Sequence, residues 1–326
     1  MAKLRQALAS PRSSPAKADE SGAPPVDKLQ NGVIVAAFGR HFHVELPKDM
    51  LDCVTRGRNR DVACGDCVEV RETALGQGVV EAVAPRKTLL YRSDAFKQKL
   101  IAANVTRIIF VLAPVPSYSG ELLSRCLIAA EAAHVPALVV VNKADLIAET
   151  AQTLQDLAWI KKLGYDLISL AAKRSVAPLA DYLNGHTSVL VGQSGMGKST
   201  IINALVPEAQ ARVREVSEAL DAGKHTTTSA RLYHLSETSH IIDSPGLQEF
   251  GLFHLTDAEL ANALPEFRPY LGKCRFHNCL HVNEPDCAVL AACKKGEIRS
   301  PRLDLYQRIL VGNEEWRGRL KSAGRG

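Results

Sequence analysis

At 326 residues with a formal net charge of +5, the chain is long enough for about two or three domains, each with a core of its own. Apolar residues make up 46% and charged residues 23%, and no apolar run reaches the roughly eighteen residues that suggest a membrane span. The N-terminus is charged but has no apolar centre, which argues against a secretory signal. A cytoplasmic protein is expected, with no membrane partner.

Residues 1–30 are rich in Ser, Pro, Ala and Lys without sustained periodicity, and read as a mobile tail. Over 31–93, short β-like runs ("GVIVAAFGRHFHVEL", "DVACGDCVEV", "GQGVVEAVAP") are broken by glycines. Close-spaced strands with Gly-marked turns predict a small β-barrel, OB-like first and SH3-like as the alternative that pattern does not separate. Its loop candidate "RGRNR" places Arg56, Arg58 and Arg60 together. The pair Cys64 and Cys67 has no partner pair in sequence and reads as two small residues at a strand turn.

Residues 94–255 change texture. "VTRIIFVLAPV", "PALVVVNKAD", "YDLISL" and "TSVLVGQSG" are apolar, β-branched runs separated by helical segments at 120–133, 148–162 and 176–183, and "ARLYHLSE" and "SHIIDSPG" add two more strands. Buried strands alternating with helices predict an α/β fold with a parallel sheet covered on both faces.

The first of these strands to carry chemistry ends in Asn142-Lys143-Ala144-Asp145. A carboxylate at Asp145 can accept both N1–H and the exocyclic amine of guanine, a pattern adenine cannot offer. Lys143 would lie over the ring and Asn142 would brace the loop. The bland alternative is a polar loop with Asp145 capping the next helix. "GQSGMGKS" then fits G-x-x-x-x-G-K-[ST], entered by a strand and left by the apolar helix "KSTIINALV". Backbone N–H groups of Gly192, Gln193, Ser194, Gly195, Met196 and Gly197 would wrap phosphates, with Thr200 in the first helical turn. Lys198 would reach the β- and γ-phosphates, and the Ser199 hydroxyl would bind Mg²⁺. The last strand ends in Asp243-Ser244-Pro245-Gly246, which places Asp243 near the metal and the Gly246 N–H toward the γ-phosphate. Between them, "GKHTTTSA" offers a threonine hydroxyl for Mg²⁺, Thr227 ahead of Thr226. These residues imply GTP or GDP as ligand.

Residues 256–326 read as helical, polar and metal-binding. Cys274-x4-Cys279-x-His281-x5-Cys287 supplies three thiolates and an imidazole, enough for one closed, structural Zn²⁺, with His277 and Cys293 nearby. Four of the eight cysteines lie between Cys274 and Cys293, which favours a reduced metal protein over a disulfide framework. From Lys294 to Gly326, nine Lys or Arg face four Asp or Glu, which equals the whole formal excess. Such clusters are solvated surface or a polyanion contact, RNA being the sharper reading.

The motif order is base loop, P-loop, switch I, switch II, and it resembles the circularly permuted GTPases. With the barrel in front, the "GKHTTT" switch and the "CRFHNCLHVNEPDC" cluster behind, the chain from about Gly32 onward resembles the ribosome small-subunit-dependent GTPases, the RsgA (YjeQ) family. The resemblance implies GTP hydrolysis in late maturation of the 30S subunit, stimulated by that subunit, with the barrel loop and C-terminal basic segment on 16S rRNA. A monomer is expected. Where many GTPases have glutamine, this chain has Leu247. His225 matches the family's switch I histidine, so it is a catalytic candidate beside Lys198 and Asp243; an rRNA contact is its alternative role. The family's Ser-Ala element maps to Ser169-Leu170, with the "AAK" of Ala171 to Lys173 as the rival register.

Overall fold

The computed structural model describes residues 29–56, 61–94, 97–207, 230–244 and 252–323. His225, Thr226, Thr227, Gly246 and Leu247, with Arg58, Arg60 and the tail over 1–28, lie outside the described residues.

The first five strands close on themselves. β1 (Leu29–Phe38) pairs with β2 (His41–Glu45) and with β4 (Cys67–Ala74). β2 pairs with β3 (Met50–Thr55), β3 runs parallel to β5 (Gln77–Val83), and β5 returns to β4. This closed five-stranded path is the OB type of barrel, which decides between the two candidates left open by pattern. Alternation does the sorting: Ile34, Phe42, Val44, Leu51, Cys53, Val68, Val70 and Val80 point inward and are buried. The barrel is locked to the chain that leaves it by Arg86, whose guanidinium grips the fully buried Asp66 carboxylate at 2.7 and 2.8 Å.

A hairpin of β6 (Leu89–Asp94) and β7 (Lys97–Ala103) follows, so the expected boundary at 93/94 falls inside it. Next come β8 (Arg107–Leu112), β9 (Ala137–Val141), β10 (Asp166–Ser169), β11 (Thr187–Val191), β12 (Ala230–His234) and β13 (His240–Asp243). Spatial order is β10-β9-β8-β11-β13, all parallel, with β12 antiparallel beyond β13. β12 also pairs with β1, through Ala36 against Arg231, so barrel and α/β sheet are continuous. Glu45 of the barrel adds a 2.7 Å contact to His234.

β9 is buried throughout, and β8 and β11 are buried beyond their first residues, as their apolar composition requires. Helices α1 (Gly120–Ala132), α2 (Ile147–Asp156), α3 (Ala158–Lys162), α4 (Ala180–Leu183) and α5 (Lys198–Leu205) connect them. The helix expected over 148–162 is two helices, parted at Leu157. That over 176–183 is a 3₁₀ turn (Ala177–Leu179) with Pro178 near its start, followed by α4.

Beyond the sheet lie α6 (Asp257–Asn262), α7 (Ala288–Lys294) and α8 (Ser300–Ala323). α6 starts on a full capping box between Thr256 and Glu259. Leu260, Phe267, Val289, Tyr306 and Ile309 form their core, and Ile128 of α1 enters it from the α/β domain. A buried ion pair of the C-terminal unit stands at its junction with the α/β domain. Arg302, 2% exposed, donates to both oxygens of Glu266 (2.5 and 3.3 Å) and to the Ser124 carbonyl of α1. Its guanidinium and that of Arg299 lie over the Trp159 ring of α3.

Candidate nucleotide site and metal centre

β11 delivers the chain to a tight loop, Gly192 to Gly197, which opens directly into α5. Two of its glycines are obligatory on space as well as conformation. Gly192 has φ 142°, and a Cβ there would sit 2.2 Å from the Val111 carbonyl oxygen. Gly197 has φ 93°, and its Cβ would sit 2.2 Å from Asn142 Nδ2. The Lys198 ammonium curls over the loop and donates to the Gly192 and Gln193 carbonyls, both at 2.8 Å. Burial lowers its pKa, opposed by the nearby Asp243 carboxylate. Ser194, Gly195 and Ser199 are exposed, Thr200 is half-buried, and Met196 is buried beneath the loop.

Asp243 ends β13, the strand beside β11. Burial pushes its carboxyl up to about 6, with Lys198 and Arg231 pulling the other way. Next to it, the buried Ser244 hydroxyl donates to the Leu190 carbonyl at 2.6 Å, which ties the start of the D-x-x-G segment to the P-loop strand.

Asn142 follows β9 and is 2% exposed. Its Nδ2 donates to the Met196 carbonyl of the P-loop, and its Oδ1 accepts from Ala172 N–H, both at 3.0 Å. One side chain therefore joins three loops. Lys143, at φ 63°, donates through Nζ to the Val115 carbonyl at 2.7 Å. Asp145 is exposed, and the N-cap of α2 is Leu146 with no side-chain bond, so the helix-cap reading of Asp145 does not hold.

One expected contact needs correcting. The Leu170 N–H donates to the Val141 carbonyl at 3.0 Å and so continues the β9–β10 ladder. It is not available to guanine O6, and Ser169 is an exposed residue of the edge strand β10. The loop that reaches Asn142 is the rival "AAK", Ala171 to Lys173, through Ala172.

A residue set missed in the sequence is the loop after β8. Val115 holds Lys143, Pro116 packs at 3.5 Å on the position a Gly195 Cβ would take, and Ser119 N–H donates to Gln193 Oε1 at 2.6 Å. Its signal was topological, since ligand loops cluster at the carboxyl ends of parallel strands.

The second constellation is Cys274, Cys279, His281 and Cys287, whose ligand atoms lie within 4.8 Å of one another. His281 Nδ1 is 3.6, 3.5 and 3.3 Å from the three sulfurs, and Cys274 Sγ is 3.8 Å from Cys287 Sγ. Tetrahedral zinc, with bonds of about 2.3 Å to sulfur and about 2.0 Å to nitrogen, needs edges of about 3.5–3.8 Å, so the four residues fit it. The shell around them is built as well. Leu290 N–H points at Cys287 Sγ (3.5 Å), Gln307 holds the His281 carbonyl, and Glu284 accepts from the N–H groups of Leu280, Val282 and Asn283. His277 is exposed and Cys293 stands outside the cluster. Cys64 is buried with its thiol on the Val35 carbonyl, and Cys67 is exposed.

A P-loop and a guanine-type loop at the ends of strands in one parallel sheet, the base loop earlier in the chain, define a circularly permuted P-loop GTPase. The family model described as RsgA GTPase matches residues 83–253. The small ribosomal subunit biogenesis GTPase RsgA of Nitrosospira multiformis is 52% identical over 86% of this chain and 90% of its own. That of Burkholderia pseudomallei is 47% identical over 92% and 96%. Among solved structures, YjeQ from Thermotoga maritima is 28% identical with a TM-score of 0.65, covering 87% of this chain and 98% of its own. YloQ, described as a circularly permuted GTPase, is 25% identical with a TM-score of 0.61 over 92% and 98%. The chain belongs to the RsgA GTPase family.

Proposed function

We propose that this GTPase binds the small ribosomal subunit in the cytoplasm, as a monomer, and hydrolyses GTP there in a late step of subunit maturation. The reading is supported by relatives named for small ribosomal subunit biogenesis that align over most of both chains. Among the described residues no helix is long and apolar enough to cross a membrane.

The observation that carries the nucleotide assignment is the Asn142 bridge between base loop, P-loop and the Ala172 loop. It sets the distance between the phosphate and base subsites before any ligand arrives, so binding costs less ordering. In this reading Asp145 takes the guanine N1–H and amine, Lys143 covers the ring, and the 171–173 loop meets O6. Lys198 exchanges its two loop carbonyls for β- and γ-phosphate oxygens. Ser199, with Thr227, would hold Mg²⁺, which would neutralise phosphate charge; Asp243 stands behind it. His225 would orient the attacking water in place of glutamine, and Gly246 N–H would face the γ-phosphate. Cys274, Cys279, His281 and Cys287 would hold one structural Zn²⁺. Arg56 and the C-terminal basic segment would lie on 16S rRNA phosphates.

GTP and ATP turnover, with and without purified small subunits, tests the whole reading. Turnover confined to GTP and raised by the subunit is expected; a rate indifferent to the subunit would overturn the ribosomal assignment.

A further inference from the structure

Helix α1 is gripped from two sides within its first turn and a half. On one side stands the P-loop: the Ser119 N–H, at the N-cap of α1, donates to Gln193 Oε1 at 2.6 Å. On the other stands α8. Arg308 pairs with Glu121 at 3.1 Å, and the buried Arg302 donates to the Ser124 carbonyl at 3.4 Å. Further along the same helix, Ile128 enters the C-terminal core and Glu131 pairs with Arg268. Among the described residues, no hydrogen bond or ion pair runs directly from α8 to the P-loop or the base loop, so α1 stands between them.

Gln193 is the member of this junction that side-chain chemistry singles out. A backbone N–H only donates, so the Gln193 amide must present its oxygen to Ser119, and an apolar side chain there would make no such bond. The same residue offers its main-chain carbonyl to the Lys198 ammonium at 2.8 Å. When that ammonium turns to phosphate oxygens, Gln193 loses one of its two ties, and the side-chain tie is left to hold the loop. Ser119 is itself fixed: its hydroxyl accepts from the Leu122 N–H and its carbonyl from the Leu123 N–H, both at 3.1 Å. The bond therefore joins the phosphate loop to a stiff helix end, and that end belongs as much to the C-terminal unit as to the nucleotide sheet.

We propose that Gln193 is a positioning residue for guanine-nucleotide binding: its side-chain oxygen fastens the P-loop to a helix end that α8 also holds. Nucleotide occupancy thereby tightens the docking of the C-terminal unit. Phosphates fix the loop, the loop fixes the helix end, and α8 then docks on a turn already ordered. Coupling of this kind is reciprocal, so loosening α8 from α1 weakens nucleotide binding by the same factor. The proposal rests on the nucleotide reading of the P-loop and not on the ribosomal partner.

The test uses the full-length chain without ribosomal subunits, as parent, Gln193→Met and Gln193→Glu. Met keeps the length and removes the acceptor, whereas Glu keeps an acceptor oxygen. The readouts are affinity for a fluorescent GDP and hydrogen exchange with and without saturating GDP. In the parent, GDP should slow exchange at 119–125 and at 302–310. Gln193→Met should bind GDP about three- to tenfold more weakly. Once saturated, it should keep the slowing in α5 but lose it at 119–125 and 302–310. Gln193→Glu should restore the slowing at both, whatever its own GDP affinity. Unchanged GDP affinity in Gln193→Met, or slowing at 119–125 equal to the parent's, would overturn the proposal. So would a parent without slowing at 302–310, or a Gln193→Glu protein that behaves as Gln193→Met. Should Gln193→Met fail to fold, Gln193→Ala decides on the same criteria. A parent that binds no GDP would overturn the nucleotide reading itself, a separate outcome.

Discussion

Burial moves the Asp243 carboxyl from an ordinary value of 3.8 to about 6, against the pull of Lys198 and Arg231. The folded protein therefore binds this proton more tightly than the unfolded chain does. Stability from this group is greatest below pH 4, falls as pH rises toward 6, and its full cost stands above that. In the metal- and nucleotide-free protein, Asp243→Asn should raise stability by about 1–2 kcal/mol at pH 7.5, allowing for partial solvent screening. Urea denaturation should find the gain smaller at pH 5, while GTP turnover is lost at both. A variant no more stable at pH 7.5 would contradict the burial argument. At Asp145 the expectation concerns choice of base. Asp145→Asn reverses one hydrogen bond, so GTP preference should fall by roughly a hundredfold or more in favour of xanthosine triphosphate. Competition binding measures it, and an unchanged preference would remove Asp145 from the base site. Both residues were legible in the sequence because their chemistry is tied to short motifs. Ser119 and Val115 were not, because they act through backbone groups that any residue carries, and for the same reason Ala172 stood only within the rival register.

The P-loop as an element depends on what surrounds it. Gly197→Ala would place a methyl 2.2 Å from Asn142 Nδ2 at a φ that L-residues avoid, so it strains the loop and breaks the Asn142–Met196 bond together. Nucleotide affinity should drop by more than about tenfold, measured by titration with a fluorescent GDP. Ser194 in the same loop is exposed and stands outside the positive-φ set, so Ser194→Ala is expected to bind normally. The loop from Cys274 to Cys287 has little core of its own, since Phe276, Leu280 and Val282 are exposed around it. Metal analysis should find one zinc per chain, lost in Cys279→Ser together with protection of the 274–287 backbone. Element existence followed from apolar runs and punctuation. The break at Leu157 did not, because the apolar pattern continues through it into Trp159 and Ile160.

At the scale of the molecule, the C-terminal basic excess is not all free surface. Arg302 is paired with Glu266, Arg308 with Glu121 and Arg317 with Asp257. Those charges join the C-terminal helices to α1 or close them on themselves, which leaves fewer cations for a polyanion than composition suggested. Glu266→Ala would strand a buried guanidinium, at a cost of about 3–5 kcal/mol. Calorimetry should register it as a lowered Tm for the C-terminal unit, and an unchanged Tm would mean that the pair is not buried in solution.

The sequence by itself determined the class of site, the permuted order and the grouping of three cysteines with one histidine, because each is written in local spacings of chemically distinctive residues. Only tertiary structure decided the barrel's closure, the fusion of two sheets through β1 and β12, and the grip of α8 on α1. Those depend on strand pairing and helix docking between segments far apart in the chain. Long-range contacts of this kind are made by backbone groups and ordinary apolar or polar side chains, which carry no motif until the fold brings them together.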